Sequence, residues 1–410
     1  MKKKIIRTST VAMSLDYLLK GQLAFLNNHY EVVAVSGVDE HLETVASREG
    51  VRTESIVMQR AIFPFKDFIS LWQLYWFFKK EKPLIVHSIT PKAGLLSMMA
   101  GYLAGVPIRI HTFTGLVFPT KTGLLQRLLI FLDRVLCRCA THIYPEGQGV
   151  REDLIHYAIT TKPLRVLANG NVNGIDSCFF SKEQVSLPEQ ETLKNTLGIS
   201  ETDFVFIFVG RLVGDKGINE LVSAFKKIKS DNFKLGFHKL TDESQNSKSE
   251  DEEGDKLSVS VSLKLLLVGP LESELDPLLP DTLEEIRANT DIISVGFQKD
   301  VRPYLAISDC LAFPSYREGF PNVVLQAGAM GLPSIVTAIN GSDEIISDGE
   351  NGVIVPVKNT NALQEAMLKM MCDLDFYSEL QSNARRLIVS RYEQKVVWEA
   401  LLEEYKNISE

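Results

Sequence analysis

The sequence predicts an α/β protein of two doubly wound parallel sheets, each with helices on both faces, facing one another across a cleft. Three observations carry that expectation. The chain has 410 residues, which at roughly 100–200 residues per domain gives two domains and leaves room for a third. Short apolar runs alternate with amphipathic helical patterns from end to end, the rhythm of parallel sheets covered by helices. That rhythm restarts once, after a polar stretch rich in glycine and asparagine at residues 169–186.

Taken in order, residues 4–7, 31–35, 84–87, 108–112 and 142–144 read as the strands of the first sheet, and 204–209, 263–268, 292–295, 310–313 and 334–337 as those of the second. The expected domains are 1–180 and 181–389. A last helical stretch, 390–408, carries Val396, Val397, Leu401, Leu402 and Tyr405 at helical spacing and should pack back on the body. Ligands of such sheets bind beyond the strand C-termini. Residues 240–256 break the rhythm with seven acids between Asp242 and Asp255 against one lysine, the composition of a disordered surface insertion.

Composition narrows the function. With 45% hydrophobic and 23% charged residues the chain is globular rather than fibrous or disordered. Cys137, Cys139, Cys178, Cys310 and Cys372 form no C-x-x-C pair, so neither a zinc ribbon nor a disulfide framework is expected, and a reducing compartment fits. Lys2-Lys3-Lys4 resembles the start of a signal peptide, but Arg7 interrupts it before an apolar core can form. Gln126, Arg127 and Asp133 break the most apolar stretch, 124–137, so no membrane span is expected. The charge is uneven: residues 1–180 hold 21 Lys and Arg against 14 acids, and the remainder 23 against 38. No nucleic-acid partner is expected.

Two motifs carry chemistry. Gly210-Arg211-Leu-Val-Gly214-Asp-Lys216-Gly217 follows a buried strand and precedes a helix near Ile218. A glycine turn with two cations at a helix N-terminus favours a phosphate, because free backbone N–H groups and the helix dipole both attract anions. The spacing is not that of a P-loop. The second motif runs from Pro314 through Glu318-Gly319-Phe320-Pro321-Asn322-Val323 to Gln326. A strand ends before it, a loop presents Glu318, and Pro321 starts a helix bearing Gln326 a little over two turns beyond Glu318. There Glu318 can accept hydrogen bonds from sugar hydroxyls while the amides of Gly319 to Val323 meet a pyrophosphate.

On these motifs, together with Gly331-Leu-Pro333 and Asp348-Gly-Glu-Asn-Gly352, the sequence resembles family 4 of the glycosyltransferases: retaining, nucleotide-sugar-dependent enzymes of the GT-B fold, which has two Rossmann-like domains. The resemblance implies that Arg211 and Lys216 hold the diphosphate of a donor, UDP-linked, and that Glu318, the first glutamate of an E-x7-E pair, meets the donor sugar. The second glutamate is replaced by Gln326, a neutral amide that should grip a ribose hydroxyl less strongly than a carboxylate. The implied route is front-face transfer, the leaving diphosphate taking the acceptor proton, with no metal and no other cofactor. The neutral rivals are a non-catalytic nucleotide-sugar-binding subunit and a UDP-sugar 2-epimerase of the same fold.

In the first half, Ser14 follows the first strand where related enzymes place a loop against donor and acceptor, although it could equally cap a helix. Thr114 stands where envelope-glycan members of the family often place a histidine, and His111, three residues earlier, is the candidate to reach the reacting sugar. Phe63, Phe65, Phe68, Trp72, Tyr75, Trp76, Phe77 and Phe78 precede Lys79 and Lys80, and 124–138 pairs an apolar face with Arg127, Arg134 and Arg138. Such helices can lie in a membrane interface. The expected partner is a lipid-diphosphate-linked glycan acceptor, and the expected place is the cytoplasmic side, peripheral to the cell membrane.

Overall fold

The structure is a computed structural model that describes residues 2–59, 63–230, 262–272, 274 and 276–410. The acidic segment 240–256 lies outside the described residues. The chain divides into two compact units, Met1–Ile175 with Arg391–Glu410, and Asp176–Ser390.

The N-terminal unit is built on six parallel strands: β1 (Lys4–Thr8), β2 (Glu31–Ser36), β3 (Arg52–Ser55), β4 (Ile85–Ser88), β5 (Ile108–Phe113) and β6 (His142–Pro145). Their order is β3-β2-β1-β4-β5-β6. Because side chains alternate along a strand, neighbouring residues enter different cores. Ile5, Val32, Ala34 and Ile85 join one, with Leu15, Leu23 and the late residues Leu401 and Tyr405. Ile6, Val33, Val35 and Val86 join the other, with Leu74, Phe78 and Leu136.

The C-terminal unit repeats the plan with β7 (Phe204–Val209), β8 (Leu263–Val268), β9 (Ile292–Gly296), β10 (Cys310–Phe313), β11 (Ser334–Thr337) and β12 (Gly352–Val355). Their order is β12-β11-β10-β7-β8-β9. Renumbered within the unit, both sheets have the doubly wound order 3-2-1-4-5-6.

The structure corrects two expectations about elements. Residue 390 belongs to the helix Leu374–Tyr392, and the last helix is Gln394–Asn407. Glu393 separates them, where Ile175 N–H donates to Tyr392 O at 2.7 Å and Gln394 N–H to Ile175 O at 3.1 Å. Ser14 caps nothing: the first helix is Ala12–Leu18 with Val11 at its N-cap, so Ser14 sits inside it.

Candidate functional site

The two motifs of the C-terminal unit follow β7 and β10, adjacent strands whose connections run to opposite sides of the sheet. This is the switch point where ligands of doubly wound sheets bind. After β7 the chain makes a short 3-10 turn, Gly214–Lys216, before the helix Ile218–Ser230. Asp276 fixes that turn from outside, its carbonyl accepting Gly214 N–H at 3.0 Å and its carboxylate accepting Asp215 N–H. Gly217 has φ +71°, and a Cβ there would lie 2.1 Å from Pro314 O, so no side chain fits between the two motifs.

The loop after β10 folds onto that turn. Tyr316 N–H donates to Asp215 O at 2.8 Å, and Arg317 pairs with Asp215 at 3.1 Å. Lys216 Nζ forms an ion pair with Glu318, both side chains largely shielded. Ser315, fully buried, donates to Glu318 Oε1 at 2.9 Å, and Thr337 Oγ1 donates to Ser315 O. Glu318 is thus held from two sides. Tyr316 donates to Glu220 at 2.7 Å, and burial, then Glu220, pushes its phenol well above the ordinary range.

The loop continues through Gly319 and the buried Phe320 to Pro321, the N-cap of the helix Asn322–Ala329. Val323 is half-buried in its first turn, and Gln326 half-buried one turn beyond Asn322. Gly341, at φ +77°, presses against this loop: a Cβ there would meet Gly319 O at 2.5 Å. Arg211 stands more open, 44% exposed, pairing with Glu272 at 2.8 Å. The structure therefore brings Lys216, Glu318 and the loop Gly319–Val323 into one constellation, with Arg211 on the same turn as Lys216.

Ser14, His111 and Thr114 belong to the N-terminal unit. Ser14 is half-buried on its helix. Thr114 Oγ1 donates to Ile89 O at 2.9 Å. His111 is corrected. Instead of reaching a ligand it is 1% exposed, its Nδ1 2.8 Å from Ser88 Oγ and its ring edge-on to Phe113 at 4.5 Å. Burial pushes its imidazole down to about 3, so it is a neutral core residue.

Sequence reasoning missed Ser315, Thr337, Asp276 and Glu272. Only Ser315 left a trace, standing three residues before Glu318 in the S-x-x-E spacing of a capping box. The aromatic stretch splits in the structure. Phe78 and Leu74 enter the core, while Phe65, Phe68, Trp72 and Trp76 are exposed on the helix Pro64–Glu81. The helix Gly123–Cys139 exposes Leu124, Leu128 and Phe131. Both helices pack on the helix Pro91–Ala104. No helix among the described residues is long and apolar enough to cross a membrane.

Two six-stranded sheets of this order, with a charged glycine turn at one switch point, define the GT-B class. Among solved structures, Anabaena Alr3699/HepE in complex with UDP superposes with a TM-score of 0.76 at 16% identity, covering 99% of this chain and 100% of that one. The family model for glycosyl transferases group 1 matches residues 189–387, and that for a glycosyl transferase 4-like domain matches 24–170. The capsular polysaccharide biosynthesis glycosyltransferase CapM of Staphylococcus aureus is 30% identical, over 97% of this chain and 96% of its own. The UDP-Gal:alpha-D-GlcNAc-diphosphoundecaprenol alpha-1,3-galactosyltransferase of Escherichia coli is 26% identical, over 81% of this chain and 78% of its own. The chain belongs to the group 1, family 4-like glycosyltransferases, and it is a glycosyltransferase.

Proposed function

We propose that the protein is a retaining enzyme that moves a hexose or N-acetylhexosamine from a UDP-sugar to a polyprenyl-diphosphate-linked glycan, in the assembly of a bacterial surface polysaccharide. The observation that carries the donor half is the Lys216–Glu318 ion pair at the β7/β10 switch point. A diphosphate competes with Glu318 for the ammonium, and once Lys216 turns to the phosphates, Glu318, still held by Ser315, is left to accept from sugar hydroxyls. Lys216, Arg211 and the amides of the loop Gly319–Val323 then oppose the charge that grows as the sugar–phosphate bond breaks, an effect of several kcal/mol in preorganised sites. The diphosphate takes the proton of the incoming hydroxyl. Gln326 hydrogen-bonds the ribose.

The acceptor half rests on the E. coli relative, named for a diphosphoundecaprenol substrate, and on the exposed aromatic and aliphatic side chains of the N-terminal unit. With Lys79, Lys80, Arg127 and Arg138 exposed on the same helices, they suit an interface of anionic headgroups and acyl chains. The enzyme then works peripherally, at the cytoplasmic face of the membrane.

The test offers the purified protein a panel of UDP- and GDP-sugars with polyprenyl-diphosphate-linked glycans and reads products by mass spectrometry and the new anomeric centre by NMR. The expected product keeps the donor's anomeric configuration. An inverted product, or transfer to soluble acceptors alone, overturns the reading.

A further inference from the structure

The N-terminal unit has a lysine–carboxylate pair at its own switch point, and binding of the donor leaves it unused. The helix Pro91–Ala104 follows β4 with Thr90 at its N-cap, so Lys92 stands in its first turn, beside the crevice between β1 and β4. Its ammonium pairs with Asp67 Oδ2 at 2.5 Å, and its side chain is only 11% exposed. Asp67 belongs to the neighbouring helix Pro64–Glu81. The N-cap of that helix, Phe63, donates its N–H to the same Oδ2 at 3.2 Å. Lys66, exposed, holds its Nζ over the Phe63 ring, 5.4 Å from the centroid. Two cations, Lys66 and Lys92, thus stand next to Asp67.

The pair is incompletely bonded. Asp67 Oδ1 is buried and accepts no hydrogen bond, so the carboxylate bears the cost of one desolvated oxygen. An anion that takes over the ammonium lets Asp67 turn that oxygen to water, which makes exchange easier here than at a fully bonded pair. The arrangement repeats that of Lys216 and Glu318, where a shielded lysine after a switch-point strand is held by one carboxylate. The surroundings differ. Phe63 and Phe65, 47% and 77% exposed, stand at the same end of the helix as Asp67. Cations beside exposed aromatic rings suit a ligand with a phosphate head and a hydrocarbon tail.

We propose that Lys92 binds the diphosphate of the prenyl-linked acceptor, displacing Asp67 from the ammonium, with Lys66 as the second cation and Phe63 and Phe65 against the first isoprene units. This rests on the lipid-linked acceptor proposed above and names the residues that receive its head.

Farnesyl diphosphate, soluble and free of any sugar, is the probe. Titrated calorimetrically into the full chain it should bind the wild type saturably. Lys92→Met should weaken that binding by roughly tenfold or more, as loss of a charge-assisted bond does, and Lys92→Arg should recover most of it. Asp67→Asn removes the competing carboxylate and should tighten binding severalfold, the opposite of what a purely structural ion pair would give. UDP titrated into the same variants should keep its wild-type Kd. If Lys92→Met does not fold, Asp67→Asn decides. No binding to the wild type, equal binding to Lys92→Met, or unchanged or weaker binding to Asp67→Asn overturns the site. Loss of UDP affinity in place of farnesyl diphosphate affinity overturns it too and assigns Lys92 to the donor. The acceptor itself is decided by the product panel: farnesyl diphosphate held by Lys92 with no transfer to polyprenyl-linked glycans upholds the site and overturns the function proposed for it.

Discussion

The two sheets share one strand order yet line their switch points with different chemistry. Between β7 and β10 the C-terminal unit places Lys216, Glu318, Asp215 and Arg317, cross-linked by ion pairs. Between β1 and β4 the N-terminal unit places hydroxyls. Thr10 and Thr90 bond through their Oγ1 atoms at 2.8 Å, Thr10 N–H donates to Thr90 Oγ1 at 2.9 Å, and Ser97 donates to Thr8 Oγ1 at 2.9 Å. Topology makes both crevices; side chains decide what enters them. The charged one suits a diphosphate; the other lines its floor with hydroxyls, its nearest charges being Lys92 and Asp67, paired with each other just beyond Thr90. The charges of the N-terminal sheet lie deeper, in a buried Arg7 beside imidazoles kept neutral.

The largest effects should therefore follow from breaking the charged crevice. Glu318→Ala should lower kcat by roughly a hundredfold or more while nucleotide binding survives, in the range seen when a group that acts on the transition state is removed. Lys216→Ala should lower turnover at least tenfold, about 1.4 kcal/mol. The double variant should cost less than the two losses combined, since the residues touch. Thr90→Val, in the hydroxyl-lined crevice, should cost less than either. Steady-state kinetics with calorimetric titration of UDP separates these outcomes, and a Thr90→Val loss exceeding that of Lys216→Ala would reverse the assignment of the two crevices.

Acid should then separate the units. His87 and His111 are neutral when folded and take protons near pH 6.5 when unfolded. Their contribution is complete above pH 6.5 and is lost as pH falls, for His111 down to about 3. Asp133 opposes them: burial raises its carboxyl to about 7, so between pH 7 and its unfolded value the folded state holds the extra proton and gains as pH falls. His142, also held down by burial, adds to the two histidines, so the balance of the unit is a loss of stability as pH falls below about 6.5. The described histidines all lie in the N-terminal unit, as do Trp72, Trp76 and Trp398. Tryptophan fluorescence thus reports that unit alone. Its urea midpoint should drop from pH 7 to pH 5, less steeply in His111→Asn and more steeply in Asp133→Asn. Equal slopes in all three would show that the buried imidazole is not what makes the unit acid-sensitive.

Glycine contacts give a smaller contrast. In the helix Pro91–Ala104, a Cβ on Gly94 would meet His111 Cε1 at 2.4 Å and Leu136 Cδ1 at 2.8 Å; in the C-terminal unit, one on Gly328 would meet Ile388 Cγ1 at 2.5 Å. Overpacking of this kind costs about 1–3 kcal/mol. Gly94→Ala should lower the fluorescence midpoint accordingly, and Gly328→Ala should leave it in place. A shift in the fluorescence midpoint from Gly328→Ala would show that the two units do not unfold independently.

What the sequence hid follows the same division. The two strands it concealed, β3 and β12, each form one edge of a sheet, whereas β6 and β9, at the opposite edges, were legible. β3 is Arg-Thr-Glu-Ser with no buried residue, because an edge strand outside both cores needs no apolar side chains. Lys216 and Glu318 were legible because a glycine turn and a loop after a strand advertise themselves. Ser315 and Thr337, which hold Glu318, work through single hydroxyl bonds that need no spacing. His111 was misread because its place at a strand end does not say which face it takes. Ile110 enters one core, and His111, next to it, turns to the other side, against Gly94 and Leu136.

The smallest expected effect tests how far the charged crevice extends. Gln326 lies on the helix Asn322–Ala329, one turn past its start and half-buried, where the family resemblance implies a carboxylate. If it bonds the ribose, Gln326→Glu replaces a neutral acceptor with a charged one, and hydrogen bonds to charged groups are stronger by roughly 1 kcal/mol. The same charge sits near a helix N-terminus, which favours it, and near a diphosphate, which does not. These effects oppose, so the net change in Kd for UDP should be tightening by less than about fivefold, or below about 1 kcal/mol, with kcat unchanged because the ribose does not react. Gln326→Leu removes the acceptor altogether and should weaken UDP binding instead. Calorimetric titration of UDP reads both variants. If Gln326→Leu binds UDP as tightly as the wild type, the side chain does not meet the nucleotide, and the charged crevice ends at Glu318 and the loop that follows it.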